Sequence, residues 1–339
     1  MHLDRCLTCR ACETTCPSGV EYGHLLEIGR SEVERRVKRS LSQQILRKML
    51  LLILPYSNRF DALLKLVQLF RQVLPHIIKK QIPEKTKLAE LSLKTHKIKM
   101  LILNGCVQPS LSPEINNATK KVLDALDIEL FSFGGCCGAI NQHLSDEEKA
   151  LVIVKNNIDR LICEFDTGIE GIVMTASGCG IAIKEYEQLL ANDKDYADKA
   201  KIVSGLYKDP AEIISPASYH ERKTAINLLT KDRTPAEENI PVAFHPPCTL
   251  QHGMQRNNII DAVLVNLGYT RRPFKYKHLC CGSSGTYSIT QKKLSQQLLS
   301  NKLGNINKAD PDIIVTANIG CQLHLQSGTS TPVKHWLEL

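Results

Sequence analysis

Four short apolar runs, rich in β-branched residues, recur from residue 97 onward, and each leads directly into a loop that contains a cysteine. The four segments are KMLILNGC, EGIVMTASGC, IPVAFHPPC and DIIVTANIGC. Such runs predict buried strands, and the helical patterns between them are typical of an α/β fold with largely parallel sheets. Because ligands bind at the carboxyl ends of strands in open α/β sheets, this layout predicts a site assembled from several cysteines.

The chain before residue 97 has a different period and predicts helices. In FDALLKLVQLFRQVL, apolar residues recur at spacings of three and four, as on one face of an amphipathic helix. Pro55, Pro75 and Pro83 divide this region into separate helices, and residues 83–97 are expected to form a connector. We expect the helices to pack on the next domain, with docking to a partner or a membrane as the alternative.

An internal repeat divides the α/β part into two halves. The first half contains Cys106, Cys136, Cys137 and Cys179, and the second contains Cys248, Cys280, Cys281 and Cys321. Corresponding cysteines are 142 to 144 residues apart, and a glycine follows each adjacent pair. The sequence therefore predicts four segments: a ferredoxin-type segment at 1–22, a helical region at 23–96, and two cysteine-rich α/β domains at 97–236 and 237–339. Cys163 lies outside these groups and is expected to be a small core residue.

The segment CLTCRACETTCP at residues 6–17 has the spacing C-x2-C-x2-C-x3-C-P. In bacterial ferredoxins three cysteines of such a run bind one [4Fe–4S] cluster, and the fourth ligates the other cluster of a pair. Cys6, Cys9, Cys12 and Cys16 are therefore candidate cluster ligands. A structural zinc site, which usually combines two separated C-x2-C pairs, is less favoured. Because one run is visible, either an earlier run is missing before the first residue, which we favour, or a remote cysteine completes a single cluster.

The two CCG elements are the second chemical signal. Two adjacent thiolates fit poorly on one tetrahedral ion, but they suit an extended cluster or a redox-active thiol pair. Gly138 and Gly282 permit the close backbone approach that such a site needs. Each half thus offers four thiolates for a further iron–sulfur centre, and a tight turn with buried thiols is the alternative. His245 and His324 are candidate hydrogen-bond partners or nitrogen ligands, although a core or exposed histidine is the more common case.

Composition narrows the class of protein. Hydrophobic residues make up 43% of the chain and charged residues 23%, as in soluble globular proteins. Aromatic residues make up 5%, which argues against a stacking surface for single-stranded nucleic acid, and no nucleic-acid partner is expected. Thirteen cysteines without a signal peptide indicate a cytoplasmic protein with metal ligands rather than disulfides. Residues 30–90 carry fourteen Lys/Arg against five Asp/Glu, so this segment could meet an acidic partner, anionic lipid or nucleic acid, and a solvated helical face is the alternative. No flavin, nicotinamide, ATP or hydrolase motif is visible, which favours electron transfer for another subunit.

Several stretches together resemble the iron–sulfur subunits of glycolate oxidase, from residue 3 to the C-terminus. They are RCLTCRACETTCPSGVEYGHLLEIGR, the two CCG elements, SGCGIAIKEY and TANIGCQLHL. The CCG repeat alone is shared with heterodisulfide reductase B subunits, anaerobic glycerol-3-phosphate dehydrogenase iron–sulfur subunits and lactate-utilisation proteins. Members usually carry an earlier ferredoxin run, which is absent here. The CCG domains of heterodisulfide reductase end in C-x-x-C, where this chain has Ala182 and His324.

The resemblance implies a complex in which separate FAD-binding subunits oxidise glycolate to glyoxylate. This chain would then pass electrons onward to a quinone, with peripheral contact at the inner membrane and two [4Fe–4S] clusters by analogy. Two alternatives stay open. One is a related redox system, either lactate utilisation, glycerol-3-phosphate oxidation or thiol–disulfide reduction through the CCG pairs. The other is a zinc-stabilised interaction scaffold without a redox role.

Overall fold

A computed structural model describes residues 2–71, 91–215, 227, 229, 239–256 and 258–339. It contains two four-stranded sheets in which every strand pairing is parallel. The first sheet consists of β1 (Ile98–Leu103), β2 (Ile128–Phe133), β3 (Gly171–Val173) and β4 (Tyr207–Lys208). The second consists of β5 (Pro241–His245), β6 (Thr270–Arg271), β7 (Ile313–Thr316) and β8 (Val333–His335). The strand orders are β2-β1-β3-β4 and β6-β5-β7-β8, so the halves repeat one topology. The expected fold class, a repeated α/β fold with parallel sheets, is confirmed.

Helices precede the first sheet and connect the strands of both sheets. The α-helices are α1 (Ala11–Thr15), α2 (Tyr22–Arg36), α3 (Leu41–Ile53), α4 (Ser57–Leu69), α5 (Gln108–Leu111), α6 (Pro113–Asp124), α7 (Ala139–His143), α8 (Glu147–Phe165), α9 (Ser177–Lys184), α10 (Tyr186–Leu189), α11 (Ala197–Leu206), α12 (Pro210–Ile214), α13 (Ile259–Asn266), α14 (Tyr287–Thr290), α15 (Lys292–Ile306) and α16 (Ile319–Gln326). Short 3-10 turns lie at Leu3–Arg5, Asn307–Ala309 and Trp336–Glu338, and a π-helical turn lies at Thr249–Gly253. Over the described ranges, no helix combines the length and the apolarity needed to cross a bilayer.

The four apolar runs that the sequence singles out form β1, β3, β5 and β7, the two inner strands of each sheet. An inner strand of a parallel sheet is covered by helices on both faces, which explains its continuous apolar pattern. The edge strands β4 and β6 have two residues each, and both residues of β6 are exposed. Strands this short leave no periodic signal, so the sequence did not reveal them.

The two halves share a hydrophobic core. Leu101 and Ile172 of the first half belong to the same buried cluster as Phe244 and Val315 of the second. The carboxyl ends of the sheets also meet, because the Ser177 amide donates to the Ala317 carbonyl over 3.3 Å. The loops that follow the strands of both halves therefore lie in one region of the molecule.

The helices before the sheets agree in part with the prediction. Pro55 separates α3 from α4 as expected, whereas Pro75, Pro83 and most of the predicted connector lie outside the described residues. The Ser110 hydroxyl donates to the Asp61 carboxylate of α4 over 3.2 Å, and Arg47 of α3 donates to the Leu144 carbonyl over 2.7 Å. No residue of α3 or α4 is buried, so their contact with the first half leaves apolar side chains exposed.

The expectation that Cys163 is a core residue is wrong. Its side chain is exposed on α8, whose buried stripe includes Val154, Ile158 and Leu161. Residues two apart point to nearly opposite faces of a helix, so Cys163 faces away from the stripe that contains Leu161.

The glycine after each cysteine pair has a measurable structural role. Both have positive φ, +88° at Gly138 and +95° at Gly282. A Cβ at position 282 would lie 2.6 Å from the Ser295 carbonyl oxygen, whereas at 138 the nearest atom is a Val154 methyl at 3.2 Å. We expect Gly138→Ala to cost about 1–2 kcal/mol for the left-handed backbone, and Gly282→Ala to cost more because α15 must move. Urea unfolding of the reduced, metal-free protein measures both.

The control for this comparison is Gly304→Ala on α15. Nothing lies within 4 Å of a Cβ at this position. Alanine there should stabilise the protein by about 0.5–1 kcal/mol relative to glycine. Equal losses for Gly138→Ala and Gly282→Ala would contradict the contact with Ser295.

Candidate metal centres

The cysteines of the first half meet at the carboxyl ends of three adjacent strands. Cys106 follows β1 by three residues, Cys136 and Cys137 follow β2, and Cys179 lies in α9 after β3. Because β2, β1 and β3 are neighbours in the sheet, the loops that carry these cysteines converge. Cys106, Cys136 and Cys137 are buried, and Cys179 is half-buried.

These thiols contact one another in a chain. Hydrogen bonds from Cys106 and Cys137 to Cys136 lower the pKa of Cys136 to about 4. The bond to Cys136, together with burial, raises the pKa of Cys106 well above its ordinary value. Bonds to Cys136 and Cys179, again with burial, raise the pKa of Cys137 in the same way. In the metal-free protein the cluster therefore favours one thiolate held by protonated neighbours.

The backbone of the first cysteine pair is clamped by two neutral side chains. Asn157 donates to the Cys136 carbonyl over 2.7 Å, and the Tyr186 hydroxyl donates to the Cys137 carbonyl over 2.9 Å. The Gly138 amide lies 3.4 Å from the Cys136 sulfur and donates to it. Sequence reasoning missed Asn157 and Tyr186, because they lie about 20 and 50 residues beyond the pair on helices with no distinctive pattern.

The second half repeats this arrangement. Cys248 follows β5 by three residues and precedes the π-helical turn, Cys280 and Cys281 lie in the loop after β6, and Cys321 lies in α16 after β7. The contact with Cys280, and then burial, raises the pKa of Cys248 well above its ordinary value. The Cys280 contact lowers the pKa of Cys281, but the Cys321 contact and burial outweigh it and raise that pKa.

Two further polar groups surround the second cluster. Lys302 is only 3% exposed, and its ammonium donates to the Tyr276 and Lys277 carbonyls over 2.9 and 3.1 Å. Burial lowers the pKa of Lys302, and the thiols of Cys248, Cys281, Cys280 and Cys321 act in the opposite direction. His245, Cys281 and Cys321 place their ligand atoms within 4.8 Å of one another. The second cluster thus has a buried cation and an imidazole beside its sulfurs.

The N-terminal run is shaped by two residues in the left-handed region, Thr8 at φ 53° and Arg10 at φ 58°. Non-glycine residues adopt this conformation at a cost, and such strain is concentrated at functional sites. The Thr8 amide donates to the Cys6 sulfur over 3.5 Å, and Arg30 of α2 donates to the Cys6 carbonyl over 2.8 Å. These contacts fix the loop that carries the first cysteines.

The N-terminal run adjoins the second thiol cluster. Burial raises the pKa of Cys9, and so do the neighbouring thiols of Cys248, Cys6 and Cys12. Cys16 has a separate environment. Its pKa is lowered by hydrogen bonds from the backbone amides of residues 18–20, with Val20 the largest cause, and by a contact with Tyr22. The structure therefore groups Cys9 with a cysteine more than 200 residues away in the sequence.

Three hydrogen bonds hold this junction. The Tyr287 hydroxyl donates to the Arg5 carbonyl over 3.1 Å, and the Ser284 hydroxyl donates to the Leu7 carbonyl. Thr14 Oγ1 and His252 Nδ1 lie 2.8 Å apart. Burial raises the pKa of Tyr287, and the thiols of both Cys280 and Cys6 add to the effect. The Tyr287 ring therefore lies close to both groups of thiols.

The donor set fits iron or zinc. All thirteen cysteines are free thiols. Thiolates select thiophilic metals such as zinc and the iron of iron–sulfur clusters, and they must lose their protons to bind. Buried thiols that resist ionisation on their own, such as those of Cys137 and Cys281, become stable as thiolates when a metal neutralises the charge.

Comparison with known proteins agrees with this description. A family model for the cysteine-rich domain called CCG matches residues 100–184 and 242–326, one copy in each half. The chain is 46% identical over 341 residues to the glycolate oxidase iron–sulfur subunit of Escherichia coli K12, covering 100% of this chain and 81% of that protein. It is 27% identical over 356 residues to a probable glycolate oxidase iron–sulfur subunit of Bacillus subtilis, covering 96% and 77%.

A more distant similarity extends to lactate utilization protein A of Bacillus licheniformis, at 24% identity over 237 residues, covering 67% of this chain and 90% of that protein. The two matched domains define a class of proteins with paired cysteine-rich CCG domains. Within that class, the chain belongs to the family of glycolate oxidase iron–sulfur subunits.

The raised thiol pKa values predict how metal binding depends on pH. Thiols such as Cys137 and Cys281 are protonated at neutral pH in the metal-free protein, so a metal must displace their protons. Apparent affinity for Zn²⁺ should rise about tenfold per pH unit for each proton displaced. Competition with a chelator across about pH 6 to 9 measures the slope. Cys137→Ser should lower that slope, and Cys163→Ser should leave it unchanged, whereas an affinity independent of pH would contradict the prediction.

Proposed function

We propose that this chain is the electron-transfer subunit of a glycolate-oxidising complex. FAD-binding partner subunits oxidise glycolate to glyoxylate, and this chain passes the electrons to a quinone. The names of its relatives support the substrate. The observation that carries an electron-transfer role is the junction between the N-terminal loop and the second half, where Tyr287 donates to the Arg5 carbonyl and the thiol of Cys248 raises the pKa of Cys9.

The cluster ligands follow from the thiol groups. Cys6, Cys9 and Cys12 hold a [4Fe–4S] cluster, and Cys16 serves a second cluster of the ferredoxin type. The four cysteines of each CCG half hold a further iron–sulfur centre; they are Cys106, Cys136, Cys137 and Cys179 in one half and Cys248, Cys280, Cys281 and Cys321 in the other. When bound, an iron–sulfur cluster accepts and releases single electrons.

The chain's own groups adjust the electron affinity of these sites. Amide hydrogen bonds to the sulfurs of Cys6, Cys136 and Cys280 stabilise the more negative, reduced form and so raise the reduction potential. The buried ammonium of Lys302 acts in the same direction at the second half. In the two CCG halves, the burial of Cys136 and Cys281 limits the access of water and strengthens both effects.

The junction connects two of these sites. Tyr287 joins the N-terminal loop to the second half through its hydroxyl and lies near both Cys6 and Cys280. Electrons would therefore move between the N-terminal cluster and the second CCG half, with the first half connected through the shared carboxyl edge of the sheets.

Contact with the membrane is proposed for the outer face of α3. Leu41, Ile45, Met49 and Leu52 lie along one stripe, and their exposed fractions are 76%, 62%, 50% and 55%. Amphipathic helices with apolar and basic side chains bind anionic membrane interfaces. The chain segment around α3 carries the basic excess noted in the sequence, so α3 would hold the complex at the inner membrane near the quinone pool.

Electron transfer is tested with Cys12→Ser in the complex reconstituted with its FAD-binding subunits. Glycolate should still reduce the flavin, while reduction of a quinone analogue should fall more than about tenfold because a cluster ligand is lost. Cys163→Ser, an exposed cysteine outside every thiol group, should keep both steps. Full quinone reduction by Cys12→Ser would overturn the proposal, and a preference for lactate over glycolate in the same assay would reassign the substrate.

Membrane contact is tested by flotation of the same complex with vesicles rich in anionic lipid at low salt. Ile45→Glu should abolish flotation because it places a charge in the middle of the apolar stripe. Val152→Glu, at an apolar position of α8 that is 67% exposed, serves as the matched control and should float like the unmodified complex. Identical behaviour of the two variants would contradict a role for α3.

A further inference from the structure

His245 is a buried side chain without a hydrogen-bond partner among the described residues. It is the last residue of β5 and is 0% exposed, yet neither ring nitrogen has a partner. Other buried histidines of the second half are satisfied: His324 lies 3.1 Å from the Ser295 hydroxyl, and His335 lies 3.1 Å from the Thr175 carbonyl. An orphaned buried polar group is rare in native proteins and points to a ligand that would satisfy it.

The imidazole is directed at the second thiol cluster. One of its ring nitrogens and the sulfurs of Cys281 and Cys321 lie within 4.8 Å of one another. Two ligand atoms on one tetrahedral zinc or iron are about 3.5–4 Å apart, given metal–sulfur and metal–nitrogen bonds of about 2.3 and 2.0–2.1 Å. Small side-chain adjustments therefore suffice to bring all three atoms onto one metal.

The first half lacks this group. His245 lies three residues before Cys248, and Leu103 lies three residues before Cys106. Each is the last residue of an inner strand, β5 and β1 respectively. Leu103 is buried at 3% exposure and has no donor atom. The two halves share one strand order, but at this position the first half has an aliphatic side chain and the second has an imidazole near its sulfurs.

The helix that covers each cluster shows a matching difference. The glycine after the first cysteine pair, Gly138, lies against the Ala150 carbonyl of α8, and Gly282 lies against the Ser295 carbonyl of α15. The helices α8 and α15 therefore occupy equivalent places in the two halves. Seven residues beyond those carbonyls lie the neutral Asn157 in the first half and the buried Lys302 in the second. At this position the second half thus has a buried cation where the first half has a neutral amide.

We infer that His245 is a nitrogen ligand of the metal centre in the second half, together with Cys281 and Cys321. This rests on the proposed function, in which the CCG cysteines hold the metal. The ligated ion is a thiophilic first-row metal, either the iron of a cluster or zinc. His245 and the four cysteines of this half offer five donor atoms, so the imidazole can take the place of one thiolate on iron. Such a replacement raises the reduction potential, and the second centre would then receive electrons in preference to the all-thiolate first centre.

The inference is tested on the full chain labelled with ¹⁵N-histidine and loaded with iron and sulfide, or with zinc, in the absence of oxygen. The test variant is His245→Leu, which introduces the residue type that the first half has at this position. His324→Gln is the control, because His324 is a buried histidine that already has a hydrogen-bond partner. Cys281→Ser is the reference for loss of the second site. Iron is examined by the ¹⁵N coupling in pulsed EPR of the reduced protein. Zinc is examined by the short nitrogen shell in X-ray absorption, at about 2.0–2.1 Å.

His245→Leu should lose the nitrogen signal. It should also lose part or all of the metal that is lost in Cys281→Ser. His324→Gln should keep the nitrogen signal and the metal. In the metal-free state His245→Leu should melt at a higher temperature than the unmodified protein, because it removes an unpaired buried imidazole. A purely structural role for the imidazole would reverse that shift.

If Cys281→Ser loses metal while His245→Leu keeps both the metal and the nitrogen signal, the assignment of His245 is overturned and the role of the CCG cysteines survives. If Cys281→Ser keeps all of its metal, the proposed ligation by the CCG cysteines fails as well.

Discussion

A thiol buried among other thiols resists losing its proton, because neither water nor a cation stabilises the thiolate that would form. Each half of this protein groups four cysteines at the carboxyl ends of adjacent parallel strands, and among them the thiols of Cys106, Cys137, Cys248 and Cys281 have raised pKa values. A bound metal removes the conflict, since it supplies positive charge and replaces the protons. The sheets, the glycine turns after the cysteine pairs and the helices that cover them all serve to hold these sulfurs together before the metal arrives.

The repeated topology does not produce two identical sites. The first pair is clamped by the neutral side chains of Asn157 and Tyr186, whereas the second lies beside His245 and the buried Lys302. Positive charge and a neutral ligand both favour the reduced state of an iron–sulfur centre. The two halves therefore share one strand order and differ in the polar groups around their cysteines.

The N-terminal loop connects these halves to the ferredoxin-type motif. Its left-handed residues and the guanidinium of Arg30 fix the positions of the first cysteines, while Tyr287 attaches the loop to the second half. The result places Cys9 beside Cys248. The chain belongs to the family of glycolate oxidase iron–sulfur subunits, and under the proposed function this junction is where electrons would pass between two redox sites.

The inner strands, the repeat and the candidate ligand cysteines could be predicted from local sequence. Apolar runs and ligand spacing are short-range features, and they can be recognised without knowledge of the fold. Prediction from local sequence failed at Cys163, where helix phase rather than residue type decided exposure, and at the two-residue edge strands, which are too short for any period. Only the tertiary structure brought Cys9 to Cys248 and placed Lys302 and the unpaired His245 at the second cluster. Those contacts join residues far apart in the chain, and packing between the N-terminal loop, the sheets and the covering helices creates them.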